Sequence, residues 1–351
     1  MLKGRVFTFY DEFQLESGQS LPGFQLFYTT WGTLNADKSN VVWVCHALTA
    51  NAFVNDWWGG LFGEGKVFDP ARHFIVCANT LGSCYGSTGP LSLNPDTGRP
   101  YYHTFPTLTN RDVVRAFNYL REHLEIEEIE VLVGGSVGGQ QALEWAVSNP
   151  ELVNKLVHVA SNARQTPWGV AFNESQRMAI EQDVTWQLNT DDAGLNGMKT
   201  ARAVALLSYR NYQAYNRSQR ETNMNKIDNF RAASYQQYQG EKLARRFNAF
   251  SYWHLTKMMD SHNVGRERGS VEEALAQVQA ETLVIGVDSD VLFPLTEQRL
   301  VARHIPNSTF EVVRSEYGHD GFLLEFAQLQ EILETFLQKK PKRKTWIPTV
   351  F

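Results

Sequence analysis

The sequence predicts an α/β protein with a mostly parallel central sheet flanked by helices and a helical insertion near its middle. Three observations predict this. Between residues 24 and 160, short β-branched and aromatic runs alternate with segments of helical periodicity. From 164 to 279 the strand-like runs give way to Gln-, Asn-, Arg- and Tyr-rich sequence with apolar residues at helical spacing. From 280 onward the strand–helix alternation returns. Repeated strand–helix–strand units place parallel strands side by side and cover them with helices. The expected division is a catalytic domain from 1–163 and 280–351 and a helical lid domain from 164–279.

The elements follow in order. Phe24 to Trp31 and Val41 to Cys45 read as strands, and His73 to Ala78 as a third. A loop dense in Gly, Ser, Pro and Asn spans 79–106. Thr109 and Asp112 have capping-box spacing, and Val113, Val114, Phe117, Leu120 and Leu124 recur with a helical period. Glu130 to Gly134 is a strand, Gln140 to Val147 a helix and Lys155 to Ala160 a strand. In the insertion, Met198, Arg202, Ala205 and Tyr209 share one helical face. Thr282 to Val287, Glu297 to His304, Thr309 to Val313 and Phe322 to Leu337 then alternate strand, helix, strand, helix. The basic run Lys339, Lys340, Lys342, Arg343 and Lys344 reads as a solvated terminus.

Composition excludes several classes. The chain has 351 residues, 43% apolar and 20% charged, with a net charge of -5, too mild for a nucleic-acid or membrane-surface partner. Its 3 cysteines, Cys45, Cys77 and Cys84, form no C-x-x-C pair and no zinc spacing, so neither disulfides nor a metal are expected. Met1 to Gln14 lacks the apolar core of a signal peptide, and no run is long enough for a membrane helix. A cytoplasmic location is the expectation.

The strongest motif is Gly134-Gly135-Ser136-Val137-Gly138. It matches G-x-S-x-G, which sets a serine on a sharp strand-to-helix turn and marks the α/β-hydrolase fold. Its context fits, with a strand before it and a helix after. No lysine follows to make a phosphate-binding P-loop. An aspartate at this position would point to dehalogenase or epoxide hydrolase chemistry, and the serine excludes both.

A serine hydroxyl needs a base, and the base needs an orienting acid. In this fold the chain order is serine, acid, histidine. Asp288 and Asp290 compete for the acid after the strand at 282–287, and Asp290, further into the loop, is favoured. His319 in Tyr317-Gly318-His319-Asp320 lies in the last strand-to-helix loop, where the base belongs. Of the 9 histidines, His73, His123, His158 and His304 fall in or beside predicted elements, and His46 suits a structural role under an oxyanion hole. The backbone N–H groups of Val137 and Leu48 are the expected oxyanion donors.

The ordered blocks Cys45-His46-Ala47-Leu48-Thr49, Gly82 to Pro90, Gly134 to Trp145, Asp288 to Pro294 and Tyr317 to Asp320 together resemble the homoserine O-acetyltransferases. The resemblance spans nearly the whole chain, lid included. One departure is Val137, where the family usually has methionine; only its backbone N–H is needed. The resemblance implies an acyl-CoA as co-substrate, L-homoserine as acceptor, an acyl-enzyme on Ser136, a role in methionine biosynthesis, no bound cofactor and a homodimer joined through lid helices. It also implies that Arg210 binds the acceptor carboxylate and Asp320 its ammonium. The plainer readings are a surface arginine on a lid helix and an N-cap for the final helix. Succinyl transfer, serine as acceptor, simple ester hydrolysis and a non-catalytic binding module remain open at this stage.

Overall fold

The computed structural model describes residues 3–338; the basic run expected to form a solvated tail lies outside them. The strands are β1 (Lys3–Phe9), β2 (Phe13–Gln14), β3 (Ser20–Leu21), β4 (Phe24–Trp31), β5 (Val41–Cys45), β6 (Phe74–Ala78), β7 (Leu93–Asn94), β8 (Arg99–Pro100), β9 (Ile129–Gly135), β10 (Val153–Val159), β11 (Glu281–Val287) and β12 (Ser308–Val313). Eight of them form one sheet in the order β1-β4-β6-β5-β9-β10-β11-β12. Every neighbouring pair from β6 to β12 is parallel, whereas β1 and β4 join antiparallel at one edge. The mostly parallel sheet flanked by helices read from the sequence is therefore present.

The sheet is buried on both faces. Along β5, Val41, Trp43 and Cys45 enter one core while Val42 and Val44 enter the other. That period of two, apolar at every position, is why the central strands read as unbroken hydrophobic runs. The helices α1 (Val54–Trp58), α2 (Asn110–His123), α3 (Val137–Ser148), α10 (Leu295–His304) and α11 (Phe326–Leu337) cover the two faces. Buried residues of α2, α3 and α10 pack into the first core, and those of α1 and α11 into the second. Helix α2 begins with the capping box anticipated at Thr109 and Asp112, each side chain bonding the other's backbone N–H.

Between β10 and β11 lie α4 (Pro167–Glu181), α5 (Leu195–Tyr209), α6 (Tyr212–Gln219), α7 (Arg231–Ala244), α8 (Ala249–Asp260) and α9 (Val271–Leu275). The chain entering α4 and the chain leaving α8 touch, because Arg164 and Asn263 form a β-bridge. Ion pairs fix the exit to the core: Arg268 and Arg111 reach the buried Glu144 of α3 at 2.7 and 3.2 Å, and Arg111 and Arg266 share Glu16 at 2.9 Å each. No helix among the described residues is long and apolar enough to cross a membrane.

Trp145 sits at the centre of the first core. Its ring meets Trp43 edge-on at 4.9 Å, and its Nε1–H donates to Asn118 Oδ1 at 3.0 Å. Trp145→Ala empties a large site and removes that hydrogen bond; it is expected to lower stability by roughly 3–5 kcal/mol in a denaturant titration.

Candidate active site

The nucleophile turn is set by backbone packing. A Cβ on Gly138 would lie 2.1 Å from the carbonyl oxygen of Cys45, and one on Gly134 equally close to the carbonyl of Gly138. Only hydrogen fits at either place, so β9 and α3 meet closely against the end of β5. The serine between them takes φ +58° and ψ -126°, a conformation side-chain-bearing residues rarely adopt. Its N–H donates to Val159 O on the neighbouring strand, and Ser161 Oγ donates to its carbonyl at 2.6 Å.

The three residues expected to work together meet. His319 Nε2 lies 2.9 Å from Ser136 Oγ, and His319 Nδ1 lies 2.7 Å from Asp290 Oδ2. All three are buried, at 7%, 3% and 5% exposure for serine, histidine and aspartate. The other oxygen of Asp290 accepts the N–H groups of Leu292 and Phe293 at 2.8 and 2.9 Å. Those donors fix the orientation of the carboxylate toward the ring. Asp288, the competing acid, instead accepts Ser315 N at 2.9 Å and ties the acid loop to the base loop. Histidine therefore carries its proton on Nδ1 and presents the bare Nε2 to the hydroxyl, the tautomer a general base requires.

Burial works against a charged imidazole here. The charge of Asp290 and its hydrogen bond, with Asp320 adding, outweigh that effect and hold the His319 pKa above its ordinary 6.5. Phe293 and Phe322 pack at a tilt against the ring, with centroids 5.2 Å away each, and Tyr209 does so at 5.7 Å.

The amides of Leu48 and Val137 donate to no acceptor among the described residues. The contact of Gly138 with the Cys45 and His46 carbonyls brings their two segments into one corner above the serine. His46 braces that corner: Nδ1–H donates to Ala47 O at 2.8 Å, and Nε2 accepts Thr80 N–H at 3.0 Å. Burial lowers its pKa to about 4, so it stays neutral and spent as a base.

Asp320 does not cap the final helix. It lies in a 3-10 helix, Gly318–Leu323, while α11 starts only at Phe326. Nor does Arg210 stand alone on the lid surface. It follows the last turn of α5, and its Nε sits 3.1 Å from Asp320 Oδ2, close but not aligned as a hydrogen bond. Burial pushes the Asp320 carboxyl above its usual range, opposed by Arg210, His319 and Arg202. Arg202, with its guanidinium 5.3 Å from the Tyr209 ring, is thus a second cation facing this carboxylate, one that the sequence placed only on a helical face. Its position on α5, about two turns before Arg210 at the helix end, is the available signal.

The arrangement can activate a serine, accept an oxyanion and hold both ends of a zwitterion. A family model described as an alpha/beta hydrolase fold matches residues 40–326. The homoserine O-acetyltransferase of Cyclobacterium marinum is 53% identical over 331 residues, covering 94% of each chain. This chain belongs to the homoserine O-acetyltransferase family. Among solved structures, the homoserine O-acetyltransferase of Bacillus anthracis has a TM-score of 0.89 at 24% identity, covering 97% of this chain and 99% of that one. Esterase E22 has a TM-score of 0.88, also at 24% identity, covering 96% and 100%. That likeness is one of fold and does not separate transferases of this family from esterases.

The raised His319 pKa sets a pH expectation. The base acts only when neutral, so the rate of Ser136 labelling by a fluorophosphonate should fall with acidity through a midpoint above 6.5. Asp290→Asn should move that midpoint downward and slow the reaction by about 10⁴-fold. A midpoint unchanged by Asp290→Asn would remove the acid from this role.

Proposed function

We propose that this chain transfers an acetyl group from an acyl-CoA to the side-chain hydroxyl of L-homoserine, through an acyl-enzyme on Ser136, in methionine biosynthesis. Ser136 Oγ attacks the thioester carbonyl carbon as its proton passes to His319 Nε2. The oxyanion is held by the Leu48 and Val137 N–H groups, worth a few kcal/mol of barrier each. The carbon–sulfur bond then breaks, and coenzyme A leaves as the thiol with the proton from His319. In the second half the homoserine hydroxyl gives its proton to His319 and attacks the ester. Ser136 is restored, taking that proton back.

The observation that carries this reading is the Arg210–Asp320 pair beside the base. Hydrolysis of a neutral ester requires no cation and anion placed together next to the histidine. For a zwitterionic acceptor they are the two complementary ends, Arg210 for the carboxylate and Asp320 for the ammonium. The aromatic rings around His319 and the lid above it favour the amino acid over water in the second step. No separate cofactor enters the scheme; coenzyme A comes and goes as a substrate.

The same reading includes a homodimer joined through the lid. Its support is a set of exposed apolar side chains there, including Leu207, Tyr212, Met224 and Ile227. Equilibrium sedimentation giving a monomer at micromolar concentration would remove that part.

Initial rates with acetyl-CoA and homoserine varied together should give parallel double-reciprocal lines, and acetyl-CoA alone should leave an acetyl group on the peptide holding Ser136. Arg210→Lys should raise the KM for homoserine about tenfold or more, because an ammonium cannot reproduce the planar fork. Thiol release at the same rate with and without homoserine would identify a hydrolase instead.

A further inference from the structure

Behind the triad runs a second set of hydrogen bonds that the reaction scheme leaves unused. Ser161 Oγ donates to the carbonyl of Ser136 at 2.6 Å. The carbonyl of Ser161 accepts from Gln298 Nε2 at 2.9 Å, and the same nitrogen donates to Phe293 O at 3.1 Å. Phe293 N–H donates to Asp290 Oδ1. Asp290, His319 and Ser136 complete the path. The bonds thus form a closed ring, half of it the triad and half of it a buttress through one glutamine of α10.

We propose that Gln298 is a positioning residue, whose amide ties the strained nucleophile turn to the loop carrying the acid and so holds Ser136 and Asp290 in register across His319. This rests on reading the triad as the reacting centre.

The amide's orientation is forced. Its NH2 faces two carbonyl oxygens, so turning it over would set Oε1 against both of them and forfeit both bonds. In the orientation present, Oε1 is buried with no partner among the described residues, and points toward Gly286. A buried acceptor left unpaired works against stability. An apolar side chain of similar length would remove that penalty but leave the buried Ser161 and Phe293 carbonyls without their donor. The glutamine is therefore explained by the two loops whose carbonyls it joins. Both Gln298 and Ser161 are fully buried, so water does not compete for these bonds.

The test uses Gln298→Met, close in shape and without donors. The readout is Ser136 labelling by a fluorophosphonate across pH, which needs neither acyl donor nor homoserine. The labelling rate should fall about tenfold or more, as a small misplacement of reacting groups would cause. Its acid midpoint should move downward, because a slackened acid loop weakens the Asp290 contact that raises the His319 pKa. The base also faces Asp320 on its own segment, itself paired with Arg210 just after α5, and the Tyr209 ring at the end of α5, none of which the variant touches. The KM for homoserine should stay as in the unmodified enzyme. A lower melting temperature with labelling rate and midpoint unchanged would overturn the proposal and leave Gln298 a structural residue.

Should Gln298→Met fail to fold, Ser161→Ala samples the ring from the other side. It should slow labelling with the midpoint unmoved, since only the serine's carbonyl is released. An unaltered rate would overturn the ring. If the unmodified enzyme labels but transfers no acetyl to homoserine, the transfer reading fails while the ring is tested as before.

Discussion

The crossing of β5, β9 and α3 at van der Waals limits is the constraint on which the site depends. With no room for a side chain at Gly134 or Gly138, the backbone turns within a single residue, and Ser136 absorbs the strain. That turn lifts the hydroxyl off the sheet toward the loops at the carboxyl ends of the strands. It also presses the segment after Cys45 against the first turn of α3. One steric fact therefore shapes the nucleophile turn and the loop that follows β5 together. The strain persists because hydrogen bonds hold the residue at both its N–H and its carbonyl.

The sheet was largely legible because its central strands carry a simple signal. Val41 to Cys45 and Phe24 to Trp31 are read from the sequence with the bounds the structure gives them. Both faces of the interior are apolar, turns are marked by Gly and Pro, and helix α2 announces itself through its capping box. The edge was not legible in the same way. β1 alternates polar and aromatic residues, the pattern of a strand with one wet face, but its partner β4 lies well downstream and nothing local names it. The short hairpins β2–β3 and β7–β8 are held by a pair or two of residues each and leave no periodicity. The final helix was anticipated from 322, yet the chain first makes a 3-10 turn at Gly318–Leu323, because His319 must face inward there before α11 can begin.

The site divides along the same line. Serine, acid and histidine stand in loops whose order along the chain the fold prescribes, so sequence alone could nominate them. Choosing Asp290 over Asp288 was a matter of loop depth, and the physical reason appears only in the structure. Two backbone donors await the carboxylate of Asp290, while Asp288 is already engaged with Ser315. The charged groups were harder. Arg210 and Asp320 were named by resemblance, and their pairing across lid and core could not be read from spacing, since separate segments supply them. Arg202 shows the limit most plainly. Helical periodicity put it on a face with Tyr209 and Met198 without revealing that this face looks down on the base loop.

The lid enters and leaves the core at one threshold, where Arg164 and Asn263 pair as neighbouring strands do. An inserted unit with adjoining ends disturbs the host sheet no more than a short turn would. The serine, acid and histidine thus stand in the core, whereas much of what covers them comes from a unit that can be remodelled on its own. The sheet and its elbow can stay fixed while the covering is remodelled, so one scaffold can serve both acceptors that are amino acids and acceptors that are water.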